Sequence, residues 1–222
     1  MPFGGKTQRT PAQSMAALLP VLPGQETDQA SVMAYGCDPE HASATPYWGA
    51  YDAVRTSLAK LVAAGADYKR AYLTLQEFFE KLRADRSRWG KPFQALLGAL
   101  DAQLDFGAAA IGGKDSMSGS FLDLDVPPTV ISFAIAPILA GEIITPEFKE
   151  AGRPVYVFAP ESDRAESQRA AWESFHALAR AGRVQAAWAA ENGLADAVMN
   201  MSFGNRIGFR SEHGHVSWYG AC

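Results

Sequence analysis

Residues 127–137, PPTVISFAIAP, are apolar throughout apart from a threonine and a serine, and Pro137 closes the run. A continuous apolar run of this kind, rather than an alternating one, reads as a fully buried strand, and that requires covering layers on both sides. The rest of the chain offers such layers. Tyr51, Val54, Leu58 and Leu61 recur at helical spacing within residues 47–64. Further helices are predicted near 73–86, over 92–104 with Phe93, Leu96, Leu97, Leu100 and Leu104 on one face, and over 163–180 with Trp172, Phe175 and Leu178 inward. Thr10 and Pro11 carry the capping chemistry of a helix start in TPAQSMAALLP, and ENGLADAVMNMSFGNRIGF reads as a helix closed by Gly204. ASVMAYGC, FGAAAIGG and PVYVFAP are compatible with strands. The mixture predicts an α/β (α+β) fold with a subdomain boundary near residues 138–152.

Several function classes are excluded by composition. At 222 residues, 48% apolar and a formal charge of -4, the chain has neither the basic stripe of a nucleic-acid binder nor a run long enough to span a bilayer. Its densest basic stretch, Lys81 to Arg88, alternates with acids and reads as a solvated helix face. MPFGGKTQRTP lacks the apolar core of a signal peptide, and Cys37 and Cys222 are too few for a disulfide framework. A reduced, cytoplasmic setting is expected. His41, His176, His213 and His215 show no spacing for metal or acid–base work. The chain opens on a glycine loop and stops at HVSWYGAC with a strand under way, which predicts a piece of a larger polypeptide.

The segment AAIGGKDSMSG (109–119) is the first candidate for chemistry. A phosphate-gripping Walker A loop would need glycine where Ala108 stands and Ser or Thr where Asp115 stands, so that reading fails. In FGGKTQR (3–9) the position of the first glycine falls before Met1. The chemistry of the 109–119 segment survives the motif: bare glycine backbone admits an oxyanion, Lys114 adds a cation, and Ser116 and Ser118 add hydroxyls. The competing structural reading is a polar turn with Lys114 in solvent.

GGKDSMSG followed by VPPTVISFAIAP resembles phosphoribosylformylglycinamidine synthase, the glutamine-dependent ligase of purine biosynthesis. So do MPFGGKTQRTPAQSMAALLPV, SVMAYGCDP and WGKPFQALLGALDAQLDFGAAAIGGKDSMSG, in order along the chain, and more loosely NGLADAVMNMSFGNRIG. The resemblance is to the second PurM-like repeat of the large single-chain form. It implies a PurM-like N-terminal subdomain over 1–138, a linker over 139–152 and a partial C-terminal subdomain over 153–222. It also implies partners, namely the first PurM-like repeat and a glutaminase domain elsewhere in the parent chain, and a small ribonucleotide substrate; neither nucleic acid nor membrane is expected. Neither Cys37 nor Cys222 inherits the glutaminase nucleophile.

The resemblance further implies ATP and magnesium as cofactors of the parent reaction, in which ATP activates a formamide oxygen and ammonia displaces phosphate. Gly113 matches a nucleotide-contacting glycine and Ser116 a substrate-contacting serine, while Lys114 replaces a metal-binding asparagine and is expected to contact phosphate as a point charge. No catalytic residue is assigned to this chain, which is expected to be inactive alone. A second, auxiliary magnesium–nucleotide site is implied at Asp38. Its other ligand positions carry Thr56 or Ser57, Lys60 and Glu191, so magnesium is expected to bind poorly, with Lys60 replacing its charge by pairing with Asp38. For Asp38 the structural alternative is a helix cap. Two other readings stay open: a non-catalytic scaffold module, and another PurM-like enzyme such as thiamine-phosphate kinase or selenophosphate synthetase.

Overall fold

The structure, a computed structural model, describes residues 3–211. In chain order it forms β1 (Ser14–Leu18), β2 (Gln29–Gly36), α1 (Pro39–Ala44), α2 (Pro46–Ala63), β3 (Tyr72–Phe78), α3 (Arg86–Phe106), β4 (Ala109–Lys114), β5 (Ser120–Phe121), β6 (Leu124–Asp125), β7 (Thr129–Leu139), α4 (Ala165–Arg180) and α5 (Leu194–Phe203). Hydrogen bonding orders five strands β1-β2-β7-β3-β4, and β5 with β6 makes a separate hairpin. β3 is antiparallel to β7, with Tyr72 opposite Ile135, and parallel to β4, with Gln76 opposite Lys114. This is the mixed α/β class expected. Among the described residues no helix is long and apolar enough to cross a membrane. The chain divides into two compact units: the described parts of Met1–Val32, Ala59–Asp67 and Pro137–Cys222, and the segments Met33–Leu58 and Tyr68–Ala136.

Small residues make the core of the second unit. Ala50, Phe79, Ala95, Ala99 and Val130 cluster there, with Leu75 and Met117 against them. A Cβ on Gly98 would lie 1.9 Å from the carbonyl oxygen of Tyr47, so α3 reaches the backbone of α2. Two phenols lock that approach: Tyr47 donates to Asp101 at 2.5 Å and Tyr51 to Asp105 at 2.7 Å. Asp85 caps α3 by accepting from the Ser87 N–H at 2.9 Å, and Gly107 ends it in the left-handed region at φ 65°.

The close approach of small residues inverts two expectations. α3 buries Pro92, Ala95, Gly98, Ala99, Ala102 and Phe106, and leaves Phe93, Leu96, Leu97, Leu100 and Leu104 exposed. β7 is buried on one face only: Val130, Ser132, Ala134 and Ala136 point inward, while Ile131, Phe133 and Ile135 are half-buried. Size decides these faces, because a helix lying this near its neighbours has room for a methyl but not for an isobutyl group.

Other expectations are corrected. Residues 73–86 are not a helix: Leu73 and Leu75 belong to β3, and Lys81 to Arg88 is a turn leading into the first residues of α3. Alternation of Tyr72, Thr74, Gln76 and Phe78 with the leucines is a strand period, and β-favouring side chains fill it. TPAQSMAALLP yields β1 instead of a helix, since the prolines leave too few residues to nucleate one and pairing in the sheet satisfies the backbone. Residues 154–160 (PVYVFAP) form no strand, and Val155, Tyr156 and Val157 are exposed. A segment with high strand propensity still needs a partner for its backbone. In the same unit Trp172 of α4 is buried, Phe175 and Leu178 are half-buried, and α5 ends before Gly204 as predicted.

Candidate functional site

The strand pairing of β3 with β4 continues past the end of β4. The Ser116 N–H donates to the Glu77 carbonyl at 3.1 Å, the Phe79 N–H to the Ser116 carbonyl at 2.9 Å, and the Gly119 N–H to the Phe79 carbonyl at 2.9 Å. The 112–119 segment is therefore an edge held by backbone hydrogen bonds, with Met117 against the core and Lys114, Asp115 and Ser118 exposed. Gly113 has a structural reason to be glycine, because a Cβ there would sit 2.4 Å from the Leu75 carbonyl oxygen. Lys114 is exposed, its ammonium 3.5 Å from the Asp115 carbonyl. The hydroxyls of Ser116 and Ser118 hydrogen-bond to each other at 2.7 Å.

Acids surround this loop. Burial, then the neighbouring negative charge of Asp115, pushes the Glu77 carboxyl above its usual range. Past the loop Asp125 accepts from Ser120 at 2.5 Å and from Arg88 at 2.5 Å, and these contacts, the Arg88 bond first, hold its carboxyl below the usual range. A cavity of about 290 Å³ lined by Ser118 to Phe121 and Leu124 to Val126 lies beside it, at the small end of the range for ligand pockets. Glu80 is 2% exposed, takes Lys91 on one oxygen at 2.6 Å and leaves the other without a hydrogen bond. No motif marks Glu77, Glu80, Arg88 or Asp125. The only sequence signal was the mixed-charge run from Lys81 to Arg88.

The residues of the implied auxiliary site are partly brought together. Asp38 caps α1, accepting from the His41 N–H at 3.0 Å, with Pro39 in the first helical turn. That is the structural alternative named above for this residue. Lys60 is 5% exposed and forms an ion pair with Glu191 at 2.8 Å, where the expectation had named Asp38. Ser57 is buried and bonded to Ser132 at 2.9 Å. A cation paired with a carboxylate at two of the implied ligand positions does not suit magnesium, which takes oxygen ligands in an octahedron. Among the described residues no three His, Cys, Asp or Glu side chains are grouped to hold a metal. His41 lies 3.1 Å from Asp52, His176 and Cys37 are half-buried, and His213, His215 and Cys222 lie outside the described residues.

The other glycine–lysine loop, GGKT, is occupied structurally. A Cβ on Gly5, at φ +81°, would lie 2.3 Å from the Gly204 backbone. The Thr7 hydroxyl donates to the Phe203 carbonyl at 2.8 Å, and the Lys6 N–H donates to Asn205 at 2.9 Å. Its amides and hydroxyl serve the end of α5.

The fold defined by this sheet and its helices is PurM-like. Among solved structures, T. maritima PurL complexed with ADP superposes at a TM-score of 0.59 with 14% identity, over 77% of this chain and 27% of that one. T. maritima PurL complexed with FGAR gives 0.57 and 16%, over 75% and 26%, and tt0281 from Thermus thermophilus gives 0.53 and 16%, over 78% and 60%. The chain thus spans about a quarter of the length of the PurL structures it resembles. No family model and no curated protein matches the sequence.

Proposed function

We propose that this chain is part of an ATP-dependent carbon–nitrogen ligase that amidates formylglycinamide ribonucleotide with ammonia from glutamine, acting in the cytoplasm within purine biosynthesis. It would contribute the 112–116 segment to a site completed by the remainder of the parent chain, whose first PurM-like repeat and glutaminase domain are its partners. In this reading residues 1–138 are the N-terminal subdomain of the second repeat, 139–152 a linker and 153–222 part of the C-terminal subdomain. ATP, when bound, supplies the phosphoryl group that makes the amide oxygen a leaving group. The chain's own task is positioning: Gly113 keeps the edge backbone close to β3, Lys114 offers a point charge to phosphate, and Ser116 offers a hydroxyl to the substrate.

The observation that carries this reading is the exposed Lys114 ammonium on a backbone-anchored edge, with the Ser116 and Ser118 hydroxyls bonded to each other at 2.7 Å beside it. The resemblance to PurL structures complexed with ADP and with FGAR supports it as fold alone. In the parent enzyme, Lys114→Ala should lower ATP-dependent amidation by roughly 10²-fold, the scale of losing one charge-stabilising group. Unchanged amidation would remove the loop from the site. A second reading, a scaffold module without a nucleotide of its own, is favoured by the Lys60–Glu191 ion pair at 2.8 Å. Titration calorimetry with ATP and magnesium on this chain tests the auxiliary site: no heat of binding supports the scaffold reading there, and heat that Lys114→Ala leaves unchanged overturns it.

A further inference from the structure

α3 is amphipathic in the unexpected sense: apart from Pro92 and Phe106 its core face is made of small residues, and its other large apolar residues face solvent. Trp89 is 58% exposed, Phe93 61%, Leu96 54%, Leu97 38%, Leu100 44% and Leu104 72%. These positions recur at helical spacing along one face. Their order is also symmetric. Reversing the helix about the midpoint between Leu96 and Leu97 exchanges Trp89 with Leu104, Phe93 with Leu100, and Leu96 with Leu97. A stripe that maps onto itself under reversal is what an isologous two-fold interface requires.

We propose that this face of α3 packs antiparallel against α3 of a second copy of the chain. Three properties select a second copy. The two aromatic side chains stand in the amino-terminal half and leucines fill the carboxyl-terminal half, so antiparallel pairing sets large residues against smaller ones and lets the layers interdigitate. Antiparallel packing also brings opposite ends of the two helix dipoles together. Finally, at roughly 150–250 Å² for a full side chain, the exposed fractions leave an apolar stripe on the order of 600 Å² per copy, not far below the ~800 Å² per partner of a standard interface. That area fits an association in the micromolar range rather than a permanent one.

Sedimentation equilibrium of the 222-residue chain from about 1 to 100 μM tests this, and a dimer should appear across that range. Leu97→Glu, at the two-fold, should raise the dissociation constant by ~100-fold or more. Leu104→Glu, at the outer end, should weaken it less, and it keeps the test usable if Leu97→Glu fails to fold by circular dichroism. A mixture of Trp89→Cys and Leu104→Cys chains, each with Cys37 and Cys222 replaced by serine, should crosslink with each other in preference to their own kind. A chain that stays monomeric throughout overturns the proposal. So does a dimer that neither glutamate variant weakens, or cysteine variants that crosslink only to themselves. Loss of dimerisation is independent of the Lys114 measurements, so the failure of one reading does not disturb the other.

Discussion

Two loops in this molecule share the letters Gly-Gly-Lys, and they are used in opposite ways. At residues 4–7 the polar groups are spent on the protein: Thr7 and the Lys6 amide hydrogen-bond to the end of α5, and Gly5 presses on the Gly204 backbone. At residues 112–119 the backbone is what ties the loop to β3, while the Lys114 ammonium meets the Asp115 carbonyl and the Ser116 and Ser118 hydroxyls bond each other. Each loop has an acid beside it, and those differ as well. Glu147, whose free oxygen would lie 2.4 Å from a Cβ on Gly4, is pushed upward by burial, but Lys149 at 2.5 Å and Thr145 at 3.0 Å outweigh this and hold it below its usual range. Glu77 is pushed upward by burial and by Asp115 with nothing offsetting it. The first loop looks like a fastening. The second stores unfavourable electrostatics next to donors that bond only within the loop, a combination concentrated at sites that bind something.

The largest effect that could break this contrast is steric. Gly5→Ala should cost about 3 kcal/mol, because the new Cβ meets backbone while φ stays in the left-handed region. Gly113→Ala should cost about 2 kcal/mol, for it meets one carbonyl on an edge strand that can shift. Urea unfolding of both variants checks the order. If Gly113→Ala proves the more damaging, the second loop is a fastening too. Glu147→Gln should follow at about 1–2 kcal/mol, since it removes the charge that two donors face. A loss confined to acid pH would instead mean that the Lys149 contact contributes nothing near neutrality.

Much of the fold was legible in advance. α2, α3, β2, β4 and α5 stand where periodicity and β-compatible runs put them. What misled was the assumption that the larger apolar residues of an element mark its buried face. In α3 the buried face is Ala95, Gly98, Ala99 and Ala102, a stripe of small residues whose importance appears only when the Tyr47 carbonyl is seen lying against Gly98. In β7 the same substitution of size for hydrophobicity separated Ala134 and Ala136 from Phe133 and Ile135. Residues 154–160 show the converse, strong strand propensity without a strand to pair with. At the candidate site the loop itself was legible because glycine, lysine and serine announce their chemistry. Glu77 and Asp125 were not, because carboxylates brought to one place by register and by a hairpin leave no spacing to read.

The smallest expected effect is also the sharpest discriminator, since it turns on a sign. Glu77 has a folded-state pKa above the unfolded value, so between those two values the folded chain holds the extra proton, and stability rises as pH falls through that window. Glu147 has a folded-state pKa below the unfolded value, so its contribution is present at neutral pH and is lost as pH falls through the folded pKa. Glu77→Gln should therefore be slightly more stable than the parent chain at neutral pH, with the difference shrinking toward acid. Glu147→Gln should be less stable at neutral pH, with its deficit shrinking toward acid. Thermal unfolding of both variants from pH 4 to 8 reads the two slopes directly. If Glu77→Gln instead destabilised the chain at neutral pH, the carboxylate of Glu77 would be making a favourable contact, and the unrelieved charge beside Lys114 would no longer distinguish the two loops.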